Sequence, residues 1–279
     1  MLTKSQLKAI FSKYGFRPLK RLGENYLIDG NIKEKIIDEI RIKKSDTVLE
    51  IGPGLGSLTL DLAKSGAKVY AVEKDRKAFS ILSGLAGEDY PNLKLFNEDI
   101  LKFDPKDILP AGKIKVVGNL PYYITTPIIE YLIENRLSFE TIIITVQKEV
   151  ANRLLAEAAS EDYSALSCFV QYHTKPSYIH TIKRTSFYPV PEVDSSLIRL
   201  DVLESPPVKV KDEELFFRIV RGAFNQRRKS IINSLSRESI LHTEKARLSV
   251  ILQSIGIDPA SRPEQLSLTD FANISNAVG

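Results

Sequence analysis

The sequence predicts an α/β protein, a doubly wound and mainly parallel sheet, followed by a small all-helical domain. Three features carry that prediction. From residue 46 to about residue 202, short β-branched runs alternate with segments of helical period. The first strong run ends directly in Gly52-Pro53-Gly54-Leu55-Gly56 and a helix start. After Glu204-Ser205-Pro206-Pro207 the strand pattern stops and only helical segments follow. The expected domains are therefore 1–204 and 205–279.

Taken in order, residues 2–14 place Leu7, Ile10, Phe11 and Tyr14 on one face among lysines, which predicts a short amphipathic helix. Gly15-Phe16-Arg17-Pro18 ends it. A second helix is expected over 31–40, with Ile32, Ile36, Ile37 and Ile40 on one face and Asp29 or Asn31 as its cap. Residues 46–51 form a strand, the glycine turn follows, and a helix runs over 57–65. Strand–glycine turn–helix is a cradle in which backbone and ligand approach closely. Its spacing is G-x-G-x-G, so the dinucleotide fingerprint is not met. Residues 68–73 form the next strand and close on Glu73, roughly twenty residues beyond the turn, where α/β nucleotide binders hold ribose hydroxyls on a carboxylate.

A helix over 76–85 leads to the strand 93–96 and then to Asn97-Glu98-Asp99-Ile100. Asp99, at that strand's end, is a candidate acceptor for the amino group of an adenine, with Glu98 as its neighbour and competitor. Further strands are expected at 114–118, 141–146, 178–184 and 196–202, and helices at 127–135, 147–155 and 164–172. The loop Phe187-Tyr188-Pro189-Val190-Pro191-Glu192-Val193-Asp194-Ser195-Ser196 is stiffened by two prolines. Phe187 held in it is expected either to face an extruded base or to lid the core. Beyond the boundary, helices are expected over 212–224, 229–236, 243–255 and 267–277.

The strand at 114–118 delivers Gly118-Asn119-Leu120-Pro121-Tyr122-Tyr123 to the carboxyl edge of the sheet, where ligands bind in such folds. Pro121 has no N–H and keeps Leu120 out of the helical region, so the Leu120 carbonyl is turned from any ladder. That carbonyl and the Asn119 side-chain oxygen are two neutral acceptors side by side. They suit an exocyclic amine, whose two hydrogens they hold while Tyr122 stacks on the ring. No strong base is needed. Taken alone, the same residues also read as a polar turn with two packed tyrosines.

The 279 residues suffice for one large domain and a small one, and the net charge of +4 says little by itself. Its distribution says more. Residues 1–23 carry Lys4, Lys8, Lys13, Arg17, Lys20 and Arg21 without an acid, and residues 218–229 carry Arg218, Arg221, Arg227, Arg228 and Lys229, again without one. Two such stretches point to faces that meet a polyanion, against the plainer reading of solvated helix faces. The lone Cys168 excludes an internal disulfide and a cysteine zinc cluster. No apolar run approaches the roughly 20 residues of a membrane span. The basic amino terminus also fits an organelle presequence, but it runs within two dozen residues into Gly23-Glu24-Asn25-Tyr26-Leu27, so a cytoplasmic protein is expected.

Together, Glu24-Asn25-Tyr26-Leu27, Glu50 to Gly56, Glu73, Asp99, Asn119 to Tyr122, Phe187-x-Pro189-x-Pro191-x-Val193-Asp194-Ser195 and Ala223-Phe224-Asn225-Gln226-Arg227-Arg228-Lys229 resemble the ribosomal RNA adenine dimethyltransferases of the KsgA/Dim1 type. The resemblance implies a Rossmann-like class I fold and S-adenosylmethionine as methyl donor, with no metal. It implies donor contacts from Asn25, Leu27, Gly52, Gly54, Glu73, Asp99 and Asn119. It implies a reaction site of Asn119, Leu120, Pro121, Tyr122 and Phe187, and RNA contacts from Lys20, Arg21, Arg221, Arg227, Arg228 and Lys229. The implied substrate is a pair of adjacent adenosines in a loop near the 3′ end of 16S-type RNA in the small ribosomal subunit, each taken to N6,N6-dimethyladenosine; a monomer is the default expectation. Glu24 and Tyr26 depart from the family's usual Gln and Phe. The alternatives are a resistance-type methylase of large-subunit RNA, a DNA adenine methylase, and a non-catalytic assembly factor on the same fold.

Overall fold

The computed structural model describes residues 2–18, 25–108, 112–236, 241 and 244–279. The chain divides into two compact units, 1–151 with 177–202, and 152–176 with 203–279. Residues 152–176, placed with the first domain by the sequence pattern, thus belong to the second unit. Their side chains explain why: Tyr163, Cys168 and Tyr172 are buried among Phe216, Phe217 and Leu248.

In the first unit, α1 (Lys4–Tyr14), β1 (Tyr26–Leu27) and α2 (Gly30–Ile40) precede β2 (Thr47–Ile51). Then come α3 (Thr59–Lys64), β3 (Lys68–Val72), α4 (Arg76–Ala86), β4 (Leu93–Phe96), β5 (Ile114–Asn119), α5 (Thr125–Glu134) and β6 (Phe139–Gln147). α6 (Lys148–Leu155) and α7 (Ala165–His173) lead through β7 (Thr174–Ile182) to β8 (Phe187–Tyr188) and β9 (Ser195–Val202). The helix starts are chemical. The Thr3 hydroxyl and the Gln6 side chain form a capping box on α1. Asp29 accepts the Asn31 and Ile32 N–H groups at the start of α2, and Asp75 accepts the Ala78 N–H at that of α4.

The main sheet has seven strands in the order β4-β3-β2-β5-β6-β9-β7. β2 pairs in parallel with both β3 and β5, and β6 in parallel with β5. β9 runs antiparallel to β6. The β-branched run of β6 is buried on both faces, as its lack of alternation requires. Strand order reverses between β2 and β5, so a crevice opens beyond their carboxyl ends. A small second sheet pairs β1 with β8, Tyr26 facing Tyr188 and Leu27 facing Phe187. Two lysines are buried in paired form. Lys115 donates to the Arg41 carbonyl at 2.9 Å and pairs with Asp46 at 2.8 Å, and Lys33 pairs with Asp61.

The second unit packs α7 with α8 (Glu213–Phe224), α9 (Ile231–Leu235), α10 (Lys245–Ser254) and α11 (Leu268–Val278). α8 buries Phe216, Phe217, Ile219, Val220 and Ala223 while Arg218 and Arg221 stay exposed. Asp212 caps it, and Glu213 and Glu214 sit in its first turn, where the helix dipole favours acids.

Ile143 lies at the middle of β6 with no exposure, in the cluster that also holds Val48, Val117 and Leu197. Ile143→Ala is expected to lower the unfolding free energy by about 2–5 kcal/mol in a urea titration.

Candidate active site

The glycine turn after β2 is left-handed at Gly52, Gly54 and Gly56, with φ of 64°, 56° and 86°. Two of these positions have no room for a side chain. A Cβ on Gly54 would lie 2.8 Å from the Tyr26 ring, and one on Gly56 would lie 2.5 Å from Leu82. Glu73, at the end of β3, fastens the turn: its carboxylate accepts the Gly54 N–H at 2.9 Å and the Asp75 N–H at 2.7 Å.

Across the switch point, β5 ends in Asn119. Its Nδ2 donates to the Asn25 carbonyl at 2.8 Å, which fixes the amide's orientation. Its Oδ1 is buried and has no hydrogen-bond partner among the described residues. The Leu120 N–H donates to the Thr145 carbonyl at 3.1 Å, and the Leu120 side chain is buried. The Pro121 carbonyl accepts from Thr125 at 3.0 Å and from the Ile124 N–H at 3.2 Å. The bend is therefore held on both sides. Half-buried Tyr122 is tied through its hydroxyl to Ser195 at 2.7 Å, and burial raises its pKa.

An open cleft lies between these parts, lined by Asn25, Tyr26, Leu27, Glu50, Gly52, Pro53, Gly54, Ser57, Leu58, Glu73, Ala78, Asn119 and Pro121. Beside it is a hollow of about 340 Å³ that shares Gly52 and Pro121 and is lined further by Lys74, Asp99, Ile100 and Tyr123. Asp99 accepts the Leu101 N–H at 3.1 Å and pairs with Lys74 at 2.7 Å. Burial alone would raise the Asp99 pKa. The Lys74 and Leu101 hydrogen bonds and the charges of Lys74 and Lys102 outweigh it and hold the carboxyl below its usual range.

Glu50 is the residue that the pattern of the strand passes over. It is an acid within an otherwise apolar run, and the structure buries it completely. Burial pushes its pKa from the ordinary 4.5 to about 8; the nearby Thr59 hydroxyl opposes the rise and the charge of Glu73 adds to it. The Thr59 hydroxyl nevertheless falls outside hydrogen-bonding geometry, and Glu50 Oε2 has no partner among the described residues. Among the described residues lining the cleft, Glu50, Ser57 and Asn119 each keep a buried oxygen without a hydrogen-bond partner. A ligand with a cationic sulfur and an ammonium group fits that set, since both groups favour an ionised Glu50 and the ammonium brings donors.

The cleft brings together Asn25, Leu27, Gly52, Gly54, Glu73, Asn119 and Pro121, while Asp99 sits in the adjoining hollow. Phe187 is not offered to it. That ring is 1% exposed, packed in the core and paired with Leu27, so it lids the core and presents no face to a base. Tyr26 and Ser195 are the other residues that sequence reasoning did not single out as side chains; each acts through a partner remote in sequence. Arg221, Arg227, Arg228 and Lys229 are exposed in the second unit, where Arg227 also donates to the Glu161 carbonyl. Lys20 and Arg21, like Glu24, lie outside the described residues.

A raised carboxyl pKa makes the folded state lose stability as pH climbs from the unfolded value through the folded one. The unliganded protein is therefore expected to melt at progressively lower temperature from about pH 5 to about pH 8. Glu50→Gln should flatten that slope, read by thermal unfolding across the same pH range.

The chain as a whole is similar to proteins of one family. The family model for "Ribosomal RNA adenine dimethylase" matches residues 15–278. The protein named "Ribosomal RNA small subunit methyltransferase A" in Alkaliphilus oremlandii is 41% identical over 273 residues, covering 96% of this chain and 94% of its own. Its namesake in Moorella thermoacetica is 44% identical, covering 99% and 98%. Among solved structures, a dimethyladenosine transferase from Plasmodium falciparum superimposes with a TM-score of 0.77 at 28% identity, covering 89% of this chain and 95% of its own. The 23S rRNA methyltransferase ErmE does so with a TM-score of 0.69 at 25% identity, covering 91% and 99%. A match running from the end of the first helix to the last, with relatives of this identity over nearly their full length, makes the chain a member of the ribosomal RNA adenine dimethylase family.

Proposed function

We propose that this protein dimethylates the N6 amino groups of two adjacent adenosines near the 3′ end of small-subunit ribosomal RNA, with S-adenosylmethionine as donor. The observation that carries the reading is the unsatisfied Asn119 Oδ1 at the edge of β5, in a cleft shared with the glycine cradle. Glu73, Asp99, Asn25, Leu27, Gly52 and Gly54 are assigned to the donor, and Glu50 joins them as the acid facing its cationic end.

The donor supplies, when bound, a methyl carbon on a positively charged sulfur. The chain's own work is orientation. Asn119 Oδ1 and the Leu120 carbonyl accept the two amine hydrogens of the adenine, which turns the nitrogen lone pair out of the ring plane and toward the cleft. The Nδ2 bond to Asn25 keeps the oxygen of Asn119 pointing inward. Tyr122, braced by Ser195, supplies the ring for the base to rest on. Extruding a base from its stack costs a few kcal/mol, and a single-stranded loop lowers that cost. Arg221, Arg227, Arg228 and Lys229, with Lys20 and Arg21, are assigned to phosphates, which position without reading sequence. The protein is read as a cytoplasmic monomer.

Asn119→Ala is expected to cut methylation about 100-fold or more while the affinity for a donor analogue, read by calorimetry, drops no more than about tenfold. Full turnover by that variant would remove the role given to Asn119. Incubating each purified ribosomal subunit with labelled donor tests the substrate: label is expected in the small subunit as dimethyladenosine, and label confined to the large subunit would replace this reading with that of the ErmE type. The triple change Arg227→Gln, Arg228→Gln, Lys229→Gln should raise KM for the particle and lower the slope of log affinity against log salt by about 2, with donor affinity unchanged.

A further inference from the structure

The helix α1 carries an acid-free basic face, and two of its lysines converge on one ring. Lys4 Nζ lies 5.3 Å and Lys8 Nζ 6.0 Å from the centre of the Tyr188 ring. Among the described residues neither makes an ion pair with a carboxylate. Like charges one helical turn apart disfavour a helix slightly, and side chains free to choose would splay into water. Here they lean together, drawn by the electron-rich face of the ring.

That ring is placed beside the site. Tyr188 stacks on Phe11 of α1 with centroids 6.0 Å apart, and it pairs across β1 and β8 with Tyr26. Tyr26 lines the cleft and leaves room at Gly54 only for a hydrogen atom. The capping box at Thr3 holds the first turn of α1, so Lys4 is anchored at its base. Leu7 and Ile10, with Tyr26 and Leu55, pack the helix onto the cradle. Two exposed ammonium groups are thus gathered over a ring whose strand partner, Tyr26, lines the cleft, and among the described residues neither pairs with a carboxylate.

We infer that Lys4, Lys8 and Tyr188 form a phosphate-binding element that seats the backbone of the RNA strand whose base enters the cleft. It rests on the proposed RNA methylation and goes further by assigning the contact nearest the reacting base to α1. Lys4 and Lys8 neutralise adjacent phosphates, and the Tyr188 ring keeps the two side chains gathered before RNA arrives, which lowers the entropic cost of ordering them. A nucleic-acid strand fits better than an acidic peptide, because the element abuts a cleft built for a flat amine-bearing ring.

The test uses the full-length protein, unmodified small ribosomal subunits and a short hairpin RNA. The double variant Lys4→Gln, Lys8→Gln should raise KM for the particle roughly tenfold with kcat within about twofold, and should lower the salt slope of hairpin binding by about 1.5, the value for two lost phosphate contacts. Tyr188→Leu should raise KM by roughly threefold with the salt slope kept, since no charge is lost, while Tyr188→Phe should match the parent. A control double variant, Lys35→Gln, Lys106→Gln, removes the same charge from exposed positions on other elements. Equal effects of the two double variants on KM and slope would overturn the element in favour of a diffuse field. A parallel loss of donor-analogue affinity or of melting temperature in Lys4→Gln, Lys8→Gln would overturn it in favour of a packing role. If the parent methylates neither subunit, the methylation reading fails, and the hairpin salt slopes still decide the phosphate contact.

Discussion

The pairing of β2 with β5, with Ile51 opposite Gly118, is the constraint on which the site depends. The two strands approach so closely there that a Cβ on Gly118 would lie 3.0 Å from the Ile51 carbonyl oxygen. Because they are parallel neighbours at the point where strand order reverses, their carboxyl ends emerge together and the helices that follow depart to opposite faces. Gly52 and Asn119 are each one residue past that contact. The glycine cradle and the acceptor bend, separated by more than sixty positions of chain, therefore face one cleft as a consequence of a single register.

Charged groups fall into distinct settings within each unit. Acids line the interior: Glu50 and Glu73 in the cleft, Asp99 in the hollow beside it. They face differently. Glu73 accepts from the backbone of the turn, Asp99 is balanced by Lys74, and burial raises the Glu50 pKa to about 8. Exposed basic residues gather on α1 in the first unit and, within the second, between Arg218 and Lys229. A nearly neutral chain is thereby suited to a cationic small molecule at its centre and a polyanion at its surface, two partners that a uniform charge would not serve.

The bend at Asn119 to Tyr122 shows how orientation is produced without a strong base. Every neighbouring group takes up one of its spare bonds: Asn25 the amide nitrogen, Thr145 the Leu120 N–H, Thr125 the Pro121 carbonyl, Ser195 the Tyr122 hydroxyl. Asn119 Oδ1 keeps no hydrogen-bond partner among the described residues. Buried polar groups are ordinarily paired, so an orphan held this firmly marks where a ligand belongs.

Much of this was legible in the residues. The main sheet's strands before β6, the cap at Asp29, one of two candidates, the glycine turn, and the places of Glu73 and Asn119 at strand ends all follow from local period, turn chemistry and spacing, which act within a few residues. What depended on a distant partner was not legible. Phe187 looked like a ring for a base, but its pairing with Leu27 through the small second sheet turns it into the core. Residues 152–176 looked like a continuation of the first domain until the aromatic cluster of the second unit claimed them. The antiparallel β9, the tie from Ser195 to Tyr122 and the burial that transforms Glu50 have no local signature either. Sequence by itself determined which groups the protein has and the local shapes that carry them. Tertiary structure decided which of those groups meet and which lose their water, because contact and dehydration are properties of segments far apart in the chain.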